Sequence, residues 1–349
     1  MICKRISDGS VAVTAEEPDD LLTLRRVIDR DDRVVSDTTR VIKLDREYAR
    51  PDSGQRVRIR IALDVERVGL DYRLDRLRIQ GVIAESNNEA VPRRSHHSLV
   101  IKPNDSFTLT KRTWSGLHRS LLKSSQGGAG FVLVAIDTGD CGIGRLKGTH
   151  LHTIPNIYSG YSGKRYKSSF KIEGFFDEVR VALASMVKKN DVVIIFGPGQ
   201  TKNRLANHLQ ASRLGKGHRI LVTEGVDSSG EDGLYTFTKS DSMREAISES
   251  KLARVSSIID EIMTLASKKS ARFAMGIEET KRAGRLGAVD SLVFSEKLLQ
   301  ETDEDAAIGL INEVQAQGAK TYSVDSSTDA GLRVDGLGGV VALLRFSVS

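Results

Sequence analysis

The segment at residues 194–202, IIFGPGQTK, has the residue types of a phosphate-binding turn. It joins a buried strand, two glycines and a lysine near the start of a helix, which is what a phosphate loop requires. The Walker pattern needs glycine before the lysine and serine or threonine after it, but here Thr201 precedes Lys202 and Asn203 follows. The Gly-x-x-Gly of a dinucleotide fingerprint is also missing. The sequence therefore favours a tight structural turn.

Four carboxylates could perform metal-dependent chemistry if an RNase-H-like sheet gathered them around two divalent cations. These are Asp137, Asp140, Glu173 and Asp177. Such a site would make the chain a divalent-metal-dependent endoribonuclease. Acidic residues at this density are ordinary, and no nucleophile triad is visible, so the catalytic residues stay unassigned.

Histidines offer a second set of candidate ligands. His96 and His97 are adjacent, so on a strand they point to opposite faces and cannot share one metal ion. His150 and His152 would share a face, but the sequence shows no third ligand near them. We therefore predict ordinary strand histidines and no metal site.

Peptide release by hydrolysis would require a Gly-Gly-Gln tripeptide. Gln126 precedes its glycines, and Gln200 follows Pro198 and Gly199. We therefore do not expect a peptidyl hydrolase.

Basic loops are the stronger signal for binding. Arg46, Arg50 and Arg56 bracket the turn ARPDSGQ, and Arg93 and Arg94 lie in the turn AVPRRSHH. If a barrel places both turns at one end, they form an arginine-rich prong suited to the phosphates and base edges of structured RNA. From sequence alone, a solvated surface is equally compatible with the pattern.

The first module, residues 1–123, must position these loops, and it is rich in strands. Val57, Ile59 and Ile61 alternate with arginines, which predicts a strand with one buried face and one arginine face. Further strands are expected at 10–14, 77–84 and 106–111, and as two short strands between Val34 and Lys43, with a helix from Trp114 to Lys123. A helix follows Pro18, with Leu21, Leu24 and Ile28 on its buried face and Arg25, Arg26 and Arg30 directed away.

Two further modules follow a Ser- and Gly-rich linker, SSQGGAG, at residues 124–130. Residues 131–255 predict an α/β sheet, and residues 256–349 predict a separate α/β sandwich in which helices and strands alternate. The expected strands lie at 131–137, 141–147, 149–154, 192–196, 219–222, 289–294, 319–324 and 340–346. The expected helices lie at 173–188, 201–213, 241–268, 276–286 and 303–317.

Composition restricts the class of protein. With 349 residues, 39% hydrophobic and 28% charged, the chain fits two or three globular domains. The net charge is +6, and the basic excess lies in the first 260 residues, which fits a polyanionic partner for the front of the molecule. Cys3 and Cys141 are too few for a disulfide framework, and the start of the chain lacks a secretory apolar region, so a cytoplasmic monomer is expected.

Motifs in all three modules resemble the Pelota family, the archaeal and eukaryotic relatives of class-one peptide release factors. They occur in a specific order along the chain: DDLLTLRRVI, DRVVSDTTR, LRIQG, KRTW, VAIDTGDCGIG, SGKRY, FGPG, GAVDSLVFSEKLL and GLGGVVALLRF. The absent Gly-Gly-Gln separates this family from the release factors. In two places the chain differs from the family pattern: Gln200 stands where phenylalanine is usual, and residues 94–98 read RSHHS instead of a Gly-aromatic-His-Thr motif.

The resemblance implies a mixed fold in three domains. Residues 1–123 would form an Sm-like β-barrel, residues 131–255 an RNase-H-like α/β domain, and residues 256–349 an α/β sandwich similar to a ribosomal protein. It also implies a ribosome rescue factor that recognises stalled ribosomes with an empty A site. With a translational GTPase, such a factor promotes release of non-functional ribosomes and decay of damaged mRNA.

The same resemblance implies partners and contact residues. GTP-bound elongation factor 1 alpha would bind first, and an ABC-family recycling ATPase would follow and split the ribosomal subunits. The adaptor role needs no cofactor, whereas the endoribonuclease activity attributed to the family would need a divalent cation. The expected decoding-centre residues are Arg46, Arg50, Arg56, Arg93, Arg94 and His97. The expected GTPase-facing residues are Lys164, Arg165, Gly197, Pro198 and Gly199.

Overall fold

The computed structural model divides into two compact units, Met1–Gly127 and Gly128–Ser349. The division falls inside the predicted linker. No helix in the part of the chain that the structure describes combines the length and apolar character of a membrane span. The described residues are 1–42, 55–71, 74–92, 94–124, 130–160, 172–246, 250–326 and 328–348.

The first unit is built on one antiparallel sheet with strand order β1-β2-β7-β3-β4-β5-β6. The helices α1 and α2 contact each other, and α1 also packs on β4 and β5. The strands are β1 (Ile2–Arg5), β2 (Ser10–Thr14), β3 (Arg33–Ile42), β4 (Gln55–Asp71), β5 (Arg76–Ser86), β6 (His96–Ile101) and β7 (Ser106–Thr110), and the helices are α1 (Pro18–Val27) and α2 (Gly116–Ser124).

Helix α1 begins at Pro18 itself and not after it. Glu17 is the N-cap and Pro18 follows it, while the Asp20 carboxylate accepts hydrogen bonds from the main-chain N–H groups of Glu16 and Glu17 at 2.8 and 3.1 Å. This reciprocal capping satisfies donors that the helix leaves unpaired. Leu21 and Leu24 are buried as predicted.

Two arginines of α1 were predicted wrongly. Arg25 and Arg26 are buried, whereas Arg30 is exposed as expected. The aliphatic part of an arginine side chain can cover apolar surface, and a positive charge is favoured in the last turn of a helix. For these two reasons an arginine can be buried at the end of α1.

Strand β3 is also longer than predicted. The expected pair of short strands is one strand, because it pairs continuously with β4 from Arg33 opposite Asp64 to Ile42 opposite Gln55. The predicted alternation in β4 is confirmed: Ile59 and Ile61 are buried, and Arg58 and Arg60 are exposed.

The first sheet of the second unit has the order β10-β9-β8-β11-β12. Its first three strands pair antiparallel, and β8, β11 and β12 are parallel. Both faces are covered: Val132 and Val134 join the core on one side of β8, and Leu133 and Ala135 join the core on the other. The strands are β8 (Phe131–Ile136), β9 (Asp140–Lys147), β10 (His150–Tyr158), β11 (Val192–Phe196) and β12 (Ile220–Val222). The helices are α3 (Ile172–Met186), α4 (Thr201–Gln210), α5 (Arg213–Gly217), α6 (Gly230–Lys239) and α7 (Asp241–Ala246).

The second sheet of this unit has the order β13-β16-β14-β15. One hydrophobic core runs from Leu133 and Leu234 to Val293 and Val341, so it joins the two sheets of the unit. The predicted boundary between residues 255 and 256 lies inside α8. The elements are α8 (Lys251–Ser267), β13 (Phe273–Met275), α9 (Gly276–Arg285), β14 (Val289–Ser295), α10 (Glu296–Glu301), α11 (Glu304–Ala316), β15 (Lys320–Val324), α12 (Asp329–Gly336) and β16 (Val340–Leu344).

Candidate functional site

An arginine row follows one face of β4. Arg56, Arg58 and Arg60 are all exposed and two residues apart, so their side chains share one face. The Arg58 guanidinium is 3.2 Å from the Asp37 carboxylate on β3, and both side chains are largely exposed. These arginines expose their positive charge to solvent. The charge contributes little to the stability of the fold, because exposed ion pairs add little stability.

The loop before β6 is held to β5 and reaches β3. Arg94 has a φ of 61°, and its main-chain N–H donates to the Ile83 carbonyl at 2.9 Å. The Arg40 guanidinium donates to the Ser95 hydroxyl at 3.0 Å. The sequence did not identify Arg40, since nothing local shows that β3 ends beside this loop. Of the predicted RNA-contact residues, Arg46, Arg50 and Arg93 lie outside the described residues.

His97 lies next to Arg40 and faces the opposite way from His96, as predicted. Its Nε2 atom is 3.2 Å from the Thr38 hydroxyl. Burial lowers the pKa of the His97 imidazole from 6.5, and the nearby positive charge of Arg40 lowers it further. The ring is therefore neutral at neutral pH and acts as a hydrogen-bonding group.

Stability of the first unit should decrease in mild acid. Because the folded protein lowers the pKa of His97, its contribution is complete above about pH 6.5 and is lost as the pH falls below that value, where the unfolded chain binds the proton more readily. We expect His97→Gln to reduce the pH dependence of the urea midpoint, measured by circular dichroism at neutral and mildly acidic pH. His152→Gln, at an exposed histidine of the second unit, is the control. An identical pH dependence in both variants would contradict this assignment.

The Gly-Pro-Gly turn follows β11 and leads into α4. Lys202 is buried, and its ammonium donates to the carbonyls of Gly197 and Gly199 at 2.9 Å each. The same ammonium is 2.8 Å from the Glu224 carboxylate. The lysine therefore fixes the turn from inside instead of presenting its charge to a phosphate, in agreement with the predicted structural turn.

The outer part of this turn is open to a partner. Gly199 and Gln200 are exposed, and Pro198 is half-buried. The other predicted GTPase-facing residues, Lys164 and Arg165, lie outside the described residues.

The four candidate carboxylates have separate structural partners. The Asp137 carboxylate accepts from two main-chain N–H groups in the β8–β9 turn, and Asp140 accepts from the Ser229 hydroxyl at 2.5 Å. Asp177 lies near Arg180 and His208, and Glu173 is 3.9 Å from Arg204. No three of these four described residues bring their oxygens within reach of one metal ion. The geometry therefore gives no support to the endoribonuclease alternative.

His150 and His152 are not arranged as a ligand pair. His150 lies 3.0 Å from the Glu296 carboxylate on α10, whereas the His152 side chain is exposed.

Known proteins are similar to this chain over its whole length. Residues 2–126 match the profile of the Pelota N-terminal domain, and residues 252–348 match the profile of eRF1 domain 3. The protein pelota homolog of Nitrosopumilus maritimus is 55% identical over 348 residues, which is 100% of this chain and 99% of the relative. The chain belongs to the Pelota family. The pelota homolog of Cenarchaeum symbiosum is 53% identical and covers 99% of each chain.

A solved Pelota structure has the same architecture. The crystal structure of Thermoplasma acidophilum Pelota aligns with a TM-score of 0.65 at 22% sequence identity and covers 100% of both chains. The predicted fold class, a strand-rich Sm-like domain followed by two α/β domains, is therefore confirmed.

Proposed function

We propose that this Pelota-family chain is a ribosome rescue factor. It recognises stalled ribosomes with an empty A site and, together with a translational GTPase, promotes release of non-functional ribosomes and decay of damaged mRNA. The observation that carries this proposal is the similarity of the chain to Pelota proteins over its full length. The absence of Gly-Gly-Gln from the sequence supports rescue without peptide hydrolysis.

The first domain, residues 1–123, would enter the A site and contact ribosomal RNA and mRNA. Its exposed arginine row on β4 supports this role, because arginine binds phosphate oxygens in a forked geometry. Arg46, Arg50, Arg93 and Arg94 would make further RNA contacts. His97, next to Arg40, would also contact the RNA.

The domains at residues 131–255 and 256–349 would bind the GTPase, GTP-bound elongation factor 1 alpha. The exposed Gly-Pro-Gly turn supports a contact there, and Lys164 and Arg165 would add charge. An ABC-family recycling ATPase would then take the place of the GTPase and split the subunits. The chain would act as a cytoplasmic monomer that needs no cofactor of its own.

The decisive experiment is cosedimentation with ribosomes stalled on a message with an empty A site. Binding should tighten when elongation factor 1 alpha is held in its GTP form and should disappear when transfer RNA fills the A site. Equal binding to filled and empty ribosomes would overturn the rescue assignment and leave only nonspecific RNA affinity.

Replacing Arg56, Arg58 and Arg60 with Gln should weaken ribosome binding and reduce its salt dependence. Each lost phosphate contact lowers the slope of log affinity against log salt by about 0.7–0.9, so three contacts correspond to a change of about 2–3. The measurement is ribosome affinity across a series of potassium concentrations. Arg5, Arg30 and Arg119, which are also exposed in the first unit, provide a control triple with the same loss of charge. An unchanged slope in the β4 variant would rule out this row as the RNA contact.

A further inference from the structure

A β-bulge changes the outer face of the first sheet where β4 passes β5. Val65 lies opposite Gly81 and Arg67 lies opposite Gln80, so Glu66 is the extra residue. Glu66 and Arg67 are both exposed, whereas their neighbours Val65 and Val68 are buried. The bulge therefore directs two consecutive side chains to the same solvent-facing side.

Gly81 is what allows the two strands to meet at this point. A Cβ atom on Gly81 would lie 2.0 Å from the Asp64 carbonyl oxygen and 3.2 Å from the Glu66 nitrogen. Any larger residue would push the bulge away from β5. The glycine of the LRIQG motif thus keeps Glu66 against the β5–β6 face.

The bulge forms one wall of an open depression of about 410 Å³, which is within the usual size range of ligand pockets. We name this depression the bulge pocket; its lining is Glu66, Gln80, Gly81, His96, His97 and Ser98. Glu66 is 3.2 Å from His96 Nδ1, which orients the carboxylate. Gln80 lies opposite Ser98 across the strand pair. The Ser98 hydroxyl is buried and has no hydrogen-bond partner among the described residues.

The chemistry of this lining selects the ligand. A carboxylate only accepts hydrogen bonds and repels phosphate, so Glu66 requires a ligand that presents N–H groups. The neighbouring side chains of Arg67 and Arg78 are exposed and would attract the phosphates of the same ligand. A polynucleotide satisfies both demands, because its bases carry N–H donors and its backbone carries negative charge.

Guanine fits this donor and acceptor pattern. Its Watson–Crick edge presents one acceptor, O6, beside two donors, N1–H and N2–H. Glu66 can accept from both donors, while the Gln80 amide donates to O6. Adenine, cytosine and uracil lack two adjacent donors on this edge. The base must be unpaired, because a duplex already uses that edge.

We propose that the bulge pocket binds an unpaired guanine base of RNA. This proposal rests on the proposed role of the first domain on the ribosome and adds a base-specific contact to its general attraction for phosphate. Glu66 supplies the selectivity, and Arg67 and Arg78 hold the flanking backbone.

The test is binding of the full-length chain to short single-stranded RNAs that differ in one base. Labelled oligouridine with a single central guanine is compared with the same RNA carrying adenine, cytosine or uracil, by fluorescence anisotropy at two salt concentrations. We expect a preference for guanine of about ten-fold or more, as for other bidentate contacts to a base. The guanine preference should persist when a higher salt concentration weakens the binding of all four RNAs, because the preference does not depend on counterion release.

Variants assign the preference to the pocket. Glu66→Gln keeps the size of the side chain but turns one acceptor into a donor, so the guanine preference should disappear. Glu89→Gln, at an exposed carboxylate outside the pocket, has the same change in charge and should retain it. Gln80→Ala is a second test that does not depend on the fold of the Glu66 variant, and it should also lose the preference.

Three results would overturn the proposal. These are equal binding of all four RNAs, an undiminished guanine preference in the folded Glu66 variant, and binding of free GTP as tight as binding of the guanine RNA. The last result would indicate a nucleotide site instead of an RNA-base site. Ribosome cosedimentation of the wild-type chain is measured in parallel. If ribosome binding still requires an empty A site but the guanine preference is absent, only the pocket assignment fails. If ribosome binding does not require an empty A site, the proposed function itself is rejected.

Discussion

Replacing Asp191 with Asn is expected to lower the free energy of unfolding of the second unit by about 3–5 kcal/mol, the usual effect of removing one partner of a buried ion pair. Asp191 is 2% exposed. Its carboxylate accepts from Arg145 Nε at 2.7 Å and Arg145 Nη2 at 3.2 Å. It also accepts from the main-chain N–H groups of Gly130 and Lys188 at 2.8 and 3.0 Å. Asparagine would remove the negative charge that Arg145 Nε and Nη2 contact in this buried cluster.

The Asp191 cluster fixes how the second unit begins. Gly130 is the last residue of the predicted linker, and its carbonyl accepts from the Val192 N–H at 3.0 Å. The carboxylate thus aligns the starts of β8 and β11, the two parallel strands at the middle of the sheet. Loss of this alignment should lower the stability of the whole unit and not only of its edge.

The pH dependence gives an independent check of the same group. Burial by itself would raise the pKa of the Asp191 carboxyl, but hydrogen bonds from Arg145, Lys188 and Gly130 outweigh burial, so the pKa is lowered from 3.8. A lowered pKa means that the stabilisation is present above the unfolded-state value and is lost as the pH falls below it. The wild type should therefore lose stability below about pH 3.8, and Asp191→Asn should lack this part of the acid dependence.

Urea unfolding followed by circular dichroism measures both effects. Asp227→Asn, at an exposed aspartate of the same unit, is the matched control and should change stability by less than about 0.5 kcal/mol. Replacing both Asp191 and Arg145 with apolar residues should recover much of the loss, because the buried positive charge is then removed together with the negative one. If Asp191→Asn lowered the free energy of unfolding no more than the control does, the ion pair between Asp191 and Arg145 would not contribute to stability.

The second large effect is expected for Gly197→Ala, which should destabilise the second unit by about 2–6 kcal/mol through backbone strain and overpacking. Gly197 has a φ of +131°, a region that other residues rarely adopt. A Cβ atom there would lie 2.2 Å from the Ile136 carbonyl oxygen. Ile136 cannot yield easily, because it is fully buried at the end of β8.

Gly199→Ala is the matched control within the same turn. Its φ is +64°, and a Cβ atom would meet nothing within 4 Å. Only the left-handed backbone is then unfavourable, so a cost of about 1–2 kcal/mol is expected. The pair is compared by urea unfolding and by calorimetric binding to elongation factor 1 alpha in its GTP form.

The two variants also separate stability from partner binding. Gly199 lies on the exposed side of the turn. If this turn is the contact, a methyl group there should weaken GTPase binding in a variant that stays folded, since its expected stability cost is only about 1–2 kcal/mol. Unchanged GTPase affinity in the folded Gly199 variant would remove the turn from the proposed interface. Equal stability of the two variants would contradict the close approach of Gly197 to β8.

Local patterns determined most of the elements. The alternation around Ile59 and the apolar run at 192–196 predict strands because side-chain direction along a strand follows directly from sequence. The helical spacing of Leu21 and Leu24 predicts α1 for the same kind of reason. Helix α6 was missed, because its Ser- and Gly-rich start resembles a loop until it packs on β8 and β9.

Part of the candidate site was also accessible from sequence. Exposed arginines on β4 follow from strand alternation, and the turn at 197–199 follows from its glycines. The motif order identified the family because the motifs occur in all three modules. Each of these inferences depends on residues that are close in sequence.

Only the tertiary structure decided which distant groups meet. Lys202 turned inward toward the carbonyls of its own turn, Arg145 of β9 contacts Asp191 directly before β11, and the four candidate carboxylates have separate partners. The bulge that makes Glu66 the extra residue of β4 depends on the register of two strands, which no local pattern encodes. The sequence alone therefore determined most of the elements and the family, because these depend on local spacing. The packing of strands against one another determined the ion pairs and the bulge pocket, because those depend on which segments become neighbours.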